Sequence, residues 1–470
     1  MRNPENQYSF EATHDTDQVR NMAISSTEDV RTVNLAGRLM AIRDQGRIAF
    51  GDLHDQVGSI QVIAEDGITP EFRNFTGHSV GDWVGLTGRP GISKTGAASL
   101  YLDDWVTLAK TKIPFPNTYS GILNPEIRSR QRYLDLATNP KSLERFKQRS
   151  KVVSFVRKFL EDQDFIEVET PILQNLHGGA TARPFTTHHN ALNIELYLRI
   201  APELYLKRLI VGGLTRVFEI GKNFRNEGIS QKHNPEFTML EAYVAYWDGE
   251  MQMQLTEKLV SEAAQEIRGS TAIEINGRVV DLKPPWPRVT MDSLVSQAVG
   301  RDISLSSKYE ELADIAREYG IEVKSNYGSG KLILELYEKL VEDNLWGPVF
   351  VTEYPAEVSP LARDHRSRPG YTERFEGIVA GNELCNGFSE LNDPQIQYKR
   401  FKDQEKASEY DEESMPMDHD YVRALMYGMP PTAGLGIGID RLAMLITGTT
   451  SIRDVILFPT MKPDNLKISY

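Results

Sequence analysis

The chain has 470 residues, 40% hydrophobic and 25% charged, a balance that suits a globular enzyme of two or three domains. Its net charge of −13 argues against a protein that coats nucleic acid nonspecifically, although the first 140 residues are close to neutral, with 14 basic and 17 acidic side chains. A single cysteine, Cys385, excludes an intrachain disulfide framework and a cysteine-rich metal site, and no apolar run reaches membrane-spanning length.

Residues 1–30 show no sustained periodicity and read as a loose, polar N-terminal arm without an apolar signal-peptide core. A cytoplasmic protein is expected. From Val33 to Leu108 the runs VNLAGRLMAI, RIAFGDLHD, SIQVIAE, DWVGLTGRPG and ASLYLDDWVTLAK alternate with Gly/Asp turns, the spacing of a small β-barrel. Pro114, Pro116 and Pro125 then mark a linker over 111–140. KSLERFKQRSKVVSFVRKFLEDQDF places Phe146, Val152, Val153, Phe155, Val156, Phe159 and Leu160 at helical spacing, and IEVETPIL follows as a strand closed by Pro171. Residues 250–268 and 305–345 read as amphipathic helical stretches.

Four segments carry residues able to do chemistry. In HGGATARPFTTHHNALNIELYLRIAPELYLKRL (177–209), His188 and His189 would point to opposite faces of a strand, so a shared metal is disfavoured. Glu203 sits among apolar residues after Pro202; it is either a first-turn carboxylate that favours the helix dipole or a receptor for an amino group. The second segment, FRNEGISQKHNPEF (224–237), is a polar loop ahead of the strand FTMLEAYVAY. With period two, Phe237, Met239, Glu241 and Tyr243 share one face. Glu241 is then either solvated on an exposed edge or faces a cationic ligand, because burying it unpaired is costly. Arg225 could supply a bidentate fork for carboxylate or phosphate nearby.

The third, FEGIVAGNELCNGFSEL (375–391), spaces Glu376, Glu383 and Glu390 by seven residues, but its glycines and asparagines favour a hairpin turning at Ala380–Gly381. Glu376 and Glu383 could then lie across from one another and repel unless a divalent cation sits between them. Magnesium, which takes one or two carboxylates plus ligand phosphates, suits such a pair; three solvated glutamates are the alternative. In the fourth, GLGIGIDRLAMLITG (434–448), Gly434, Gly436 and Gly438 would let the backbone approach something before a helix that starts near Asp440 and ends at Gly448. It does not meet the dinucleotide-binding glycine pattern.

In this order the segments resemble the class II aminoacyl-tRNA synthetases, narrowing to the lysyl-tRNA synthetases. The likeness runs from about Val33 to Pro463. The helix with VETP looks like motif 1, FRNEGISQKHNPEFTMLE like motif 2 and GLGIGIDRL like motif 3. RQRYLDL, GGATARPF, THHNAL, LRIAPELYLKRL and NGFSELNDP are the more lysine-specific phrases.

The resemblance implies an α+β fold: a class II catalytic domain, an antiparallel sheet flanked by helices, over 141–470, preceded by an OB-fold anticodon-binding barrel over 31–110. It implies ligation of lysine to tRNA(Lys) with ATP and Mg2+, by a homodimer formed through motif 1. Arg225 and Arg441 would be the catalytic arginines, on the α- and γ-phosphates. Glu227, Lys232, His233 and Asn234 would reach the rest of ATP, and Phe237 would stack on adenine. Glu376 and Glu383 would hold the metal. Lysine would lie among Gly179, Glu203, Arg225, Glu241, Tyr243, Asn386 and Glu390, with Glu203 on its α-amino group and Glu390 on its ε-ammonium. Phe50 and Gln61 match anticodon-reading positions, with Arg38, Arg43 and Arg47 as further candidates. A paralogue that lysylates a protein, or a tRNA-binding regulator, is the alternative. The chain departs from the family at Gly377, where a bulkier residue is usual, and at Ala380 and Cys385, where smaller ones are.

Overall fold

A computed structural model describes residues 8–25, 31–116, 121–407 and 415–463. The chain divides into two compact units, 1–125 and 126–470.

The first unit is a closed barrel of β1 (Val33–Asp44), β2 (Ile48–His54), β3 (Ser59–Glu65), β4 (Trp83–Ile92) and β5 (Ala98–Ala109), in the order 1-2-3-5-4 with β1 closing on β4. This is the five-stranded OB arrangement. Strand alternation builds it: on β2 Ala49, Gly51 and Leu53 are buried while Ile48, Phe50, Asp52 and His54 are half-buried outside. The arm is not loose throughout. Thr16–Ser25 form a helix whose Val19 and Ala23 are buried, Val19 within the barrel core, while 1–7 and 26–30 lie outside the described residues.

The second unit begins inside the expected linker, where Pro125–Arg130 and Arg132–Thr138 are helical. Arg132 is buried against Asp135 at 2.6 Å and donates to the carbonyls of Arg453 and Leu457. These fixed partners, far along the chain, make 125–138 part of the folded body. The motif 1 helix is Pro140–Glu161, with Pro140 in its first turn and the Asn139 side chain accepting from the Ser142 amide. The expected strand after it is broken into two-residue pieces, β6 (Ile166–Glu167) and β7 (Leu173–Gln174), on either side of Pro171.

β7 pairs with β9 (Ile194–Leu198), which pairs with β8 (Phe185–His189), in a small sheet. β10 (Arg216–Phe224) and β11 (Glu236–Ala245) follow, then a separate hairpin of β12 (Ala272–Ile275) and β13 (Arg278–Asp281). The main sheet is completed by β14 (Arg288–Thr290), β15 (Val349–Thr352), β16 (Arg374–Val379), β17 (Asn382–Ser389) and β18 (Thr432–Gly438), in the order 14-15-16-17-18-11-10-6. Its interior is antiparallel, and the β14–β15 and β10–β6 pairs at the edges are parallel. Residues 305–345 form two helices, Tyr309–Glu318 and Ser329–Leu340, rather than one stretch.

One face of the sheet packs on helices. Leu240, Ala242 and Val244 of β11 join Val152, Val156 and Leu160 of the motif 1 helix, Leu259 of the helix Gly249–Arg268, and Leu442 and Leu445 of the helix Ile439–Thr447. Truncating one such leucine to alanine costs about 2–5 kcal/mol. The other face carries the site. Among the described residues no helix is long and apolar enough to cross a membrane.

Candidate active site

The odd-numbered face of β11 looks into a cavity of about 800 Å³. Phe237, Met239, Glu241 and Tyr243 line it, as period two requires. Arg225, Glu227, His233 and Asn234 line it from the loop between β10 and β11, and Glu376, Glu383, Asn386 and Glu390 from the β16–β17 hairpin and its exit. Gly179, Glu203, Lys232 and Arg441 complete the residues that the sequence nominated within this unit, and all of them meet here.

At one end the charges suit a phosphate ester. The Arg225 guanidinium lies over the Phe237 ring at 5.1 Å, and its Nε is buried without a hydrogen-bond partner. Arg441 donates to Glu383 Oε2 at 3.0 Å and to the Glu383 carbonyl at 2.6 Å, with His233 Nε2 3.3 Å away. Asp440 does not cap its own helix. It accepts from the Thr238 amide and from Arg149, both at 2.7 Å, and so ties β11 to two helices. The side chain of Asn234 bonds the Glu236 carbonyl and the Thr460 amide, so it shapes the loop. Lys232 reaches Asp343 at 2.8 Å and the Gly381 carbonyl at 3.1 Å.

The hairpin turns at Ala380 and Gly381, both with positive φ, the tight turn its strands call for. The expected facing pair is not formed. The turn at 380–381 sets Glu383 opposite Ile378, and an irregularity between Gly377 and Ile378 then moves Glu376 on from Cys385 to Asn386. Both carboxylates nevertheless line the cavity and act on one another. Burial first and Glu383 second push Glu376 up to about 7. Burial alone would raise Glu383 too, but Arg441, then Arg225 and Arg374, outweigh it and hold it below the usual range. Two hard oxygen donors that repel each other suit a divalent cation shared with nucleotide phosphates. Among the described residues no group of three or more His, Cys, Asp or Glu gathers to hold a metal alone, and His188 and His189 are exposed on β8.

The other end is acidic. Glu203, Glu241 and Glu390 are buried, Glu390 completely, and the Tyr243 hydroxyl donates to Glu241 Oε2 at 3.1 Å. Burial, then the neighbouring Glu203, push Glu241 up to about 8. Close approach explains two glycines here. Gly179 has φ +86°, and a Cβ on it would press on Glu203 and Ala201 at 3.0 and 3.1 Å. A Cβ on Gly434 would overlap Glu390 Oε1 and the Tyr243 ring. The glycines of 434–438 thus leave room for side chains of the site as well as for a ligand.

Two residues escaped the sequence reading. Lys207, fully buried, reaches Glu203 at 2.6 Å and Glu390 at 2.5 Å. Its spacing of four from Glu203 on a helix was a legible signal. Arg374 donates to Glu376 at 2.7 Å and to Asn386 Oδ1 at 3.3 Å, two residues from Glu376 on the same strand face.

In the barrel unit Phe50 is half-buried on the outer face of β2, between buried Ala49 and Gly51, and is not part of the core. Gln61 stands across from Asp52 and accepts from the Ser99 hydroxyl at 2.9 Å. Arg43 pairs with Asp52 at 3.3 Å and Arg47 is exposed. Arg38 is packed between the Trp83 and Phe115 rings and donates to the Gly81 carbonyl.

Residues 124–462 match the family model described as tRNA synthetases class II (D, K and N), and residues 33–108 match the OB-fold nucleic acid binding domain. Curated relatives are similar over nearly the whole length. A lysine–tRNA ligase of Syntrophomonas wolfei is 50% identical over 92% of this chain and 88% of its own. One of Clostridium acetobutylicum is 46% identical over 98% and 90%, and one of Xanthomonas oryzae pv. oryzae 49% identical over 92% and 86%.

Proposed function

This chain belongs to the class II tRNA synthetases of the D, K and N group, and on that premise we propose how its cavity couples ATP, lysine and tRNA. It is an aminoacyl-tRNA ligase, and lysine is its amino acid. The observation that carries the residue assignments is the division of one cavity between an arginine-rich end and a buried triad of carboxylates. A dicationic amino acid that must present its carboxylate to a triphosphate matches both ends.

In the proposed reaction Arg225 binds the lysine carboxylate and the α-phosphate together, which sets the attacking oxygen in line with the phosphorus. The carboxylate oxygen forms a bond to that phosphorus, the bond to the bridging oxygen breaks, and pyrophosphate leaves. Arg441 binds the outer phosphates and compensates the charge of the leaving group. Phe237 offers its ring to adenine, and Glu227, His233 and Asn234 border the rest of the nucleotide. Glu376 and Glu383 would hold Mg2+, which when bound supplies charge neutralisation at the phosphates. Glu203 receives the α-amino group, and Glu390, with Glu241 and Tyr243, the ε-ammonium. A terminal hydroxyl of tRNA(Lys) then attacks the acyl carbon and AMP leaves. No protein nucleophile is required.

A homodimer and a cytoplasmic location belong to the same proposal. Ile166, Ile172, Leu173, Leu176, Leu192 and Ile194 are all exposed on one stretch after the motif 1 helix, an apolar surface that a second copy would cover. Sedimentation returning a monomer would overturn the dimer. For the reaction, ATP–pyrophosphate exchange is expected with lysine and not with aspartate or asparagine, and labelled lysine should be the amino acid that charges total tRNA. Exchange with aspartate alone would defeat the assignment.

A further inference from the structure

Three carboxylates, Glu203, Glu241 and Glu390, border the amino-acid end of the cavity, and lysine brings only two ammonium groups. Its own carboxylate is matched elsewhere, by Arg225. Taken alone the protein side is one negative charge in excess, in a place where an unpaired charge is expensive. The balance is made by the chain itself.

Lys207 lies one helical turn beyond Glu203 on the helix Glu203–Val211. It is 0% exposed and is not among the residues that line the cavity. Its Nζ lies 2.6 Å from Glu203 Oε1 and 2.5 Å from Glu390 Oε2, with the Phe388 and Tyr421 rings 5.5 and 5.7 Å away. Two anions and two aromatic rings surround it. We propose that Lys207 is a resident counter-ion of Glu203 and Glu390, so that with lysine bound and the three carboxylates ionised this end of the cavity carries a net charge of minus two, matched to an amino acid with two ammonium groups.

Resting on the lysine-ligase reading, the proposal makes Lys207 a positioning and specificity-determining residue that acts through Glu203 and Glu390. An α-amino acid with a neutral side chain leaves one buried negative charge unpaired, which selects against it without a steric clash. Without Lys207 three desolvated carboxylates repel one another, and at least one takes up a proton. The ionisable groups facing this point are Glu203 from its own helix, Glu241 and Tyr243 from β11, Glu390 after β17, Tyr421 from the helix His419–Met426, and Arg374 from β16, which acts on Glu203. Burial alone would push Lys207 down, but Glu203 and Glu390 outweigh it and keep it charged.

The test is ATP–pyrophosphate exchange by the full chain between pH 6.5 and 9, with Lys207→Met, which keeps the bulk, and Lys207→Arg, which keeps the charge. Lysine-dependent exchange by the unaltered enzyme is measured first; its absence defeats the parent reading before any variant is made. For Lys207→Met, kcat/KM for lysine should fall about tenfold or more at neutral pH. The deficit relative to the unaltered enzyme should widen as pH rises and the proton that stands in for Lys207 is lost, with KM for ATP within about twofold. Lys207→Arg should restore part of the loss. A deficit constant across that range, or equal losses for lysine and ATP, would overturn the proposal in favour of a packing role. If Lys207→Met does not fold, Lys207→Met/Glu203→Gln removes the excess charge and should recover a cooperative thermal transition; failure to recover it also overturns the proposal.

Discussion

Glu390 is fully buried, held by Lys207 on one side and pressed against Gly434 on the other, so replacing it by glutamine changes its charge with little change of shape. In the proposed role, Glu390→Gln should raise KM for lysine about 30-fold or more, the cost of removing one partner from a buried charge pair, and leave KM for ATP within about twofold. Equal effects on both substrates would count against the ε-ammonium role. Glu241 invites a pH experiment. Its carboxyl is raised from the ordinary range to about 8, by burial and then by Glu203. Between pH 4.5 and 8 the folded chain therefore binds more protons at this site than the unfolded chain, and stability from this group falls as pH rises across that window. Glu241→Gln should stabilise the free enzyme more at pH 9 than at pH 6 in urea melts. Lysine, by bringing an ammonium, should bind better as pH rises toward 8, and that slope should flatten in the variant.

The β16–β17 hairpin shows how an element absorbs unusual residues. Gly377 stands directly opposite Cys385, and a Cβ on Gly377 would lie 2.6 Å from the Cys385 sulfur. The two departures from the family pattern are thus one exchange of volume across a strand pair: the space vacated at 377 is filled from 385. Gly377→Val alone should overpack the hairpin by about 1–3 kcal/mol, and Cys385→Gly alone should leave a void costing about 1–2 kcal/mol. The double variant should be more stable than the sum of the two losses; simple additivity in chemical denaturation would refute the exchange. Legibility differed sharply at this scale. The motif 1 helix and the period-two face of β11 were readable, because apolar spacing reports directly on the core. The register of the hairpin was not, since it follows from the two-residue turn at 380–381 together with an irregularity after Gly377 that depends on packing across the pair. Nor was the ordering of 125–138, since Pro114, Pro116 and Pro125 spoke for a linker and the deciding partners, the Arg453 and Leu457 carbonyls, lie far along the chain.

Each of the two units has its own core: the barrel gathers Leu35, Leu53, Val62 and Leu86, and the catalytic unit Leu240, Leu259, Leu435 and Leu442. Damage to the outer face of the barrel should therefore leave adenylate formation intact. Phe50→Ala is expected to lower kcat/KM for tRNA(Lys) in aminoacylation by about 5- to 150-fold, the worth of one base–aromatic stack, while lysine-dependent pyrophosphate exchange stays within about twofold. A parallel fall in exchange would show that Phe50 serves the fold instead. Family phrases in the sequence located the cavity-lining side chains but not Lys207 behind them, because resemblance points to groups that touch a ligand and is silent on those that hold them in place.

Strand β11 is walled on both sides, with Leu240, Ala242 and Val244 in the helix-packed core and Phe237, Met239, Glu241 and Tyr243 in the cavity. A slip of one residue would send Glu241 into the oil and Leu240 into the substrate, so the strand has no neutral register to drift into. For anyone wishing to retarget the enzyme to another amino acid, the editable letters on this strand are every second one, and insertions or deletions within it are closed as a route.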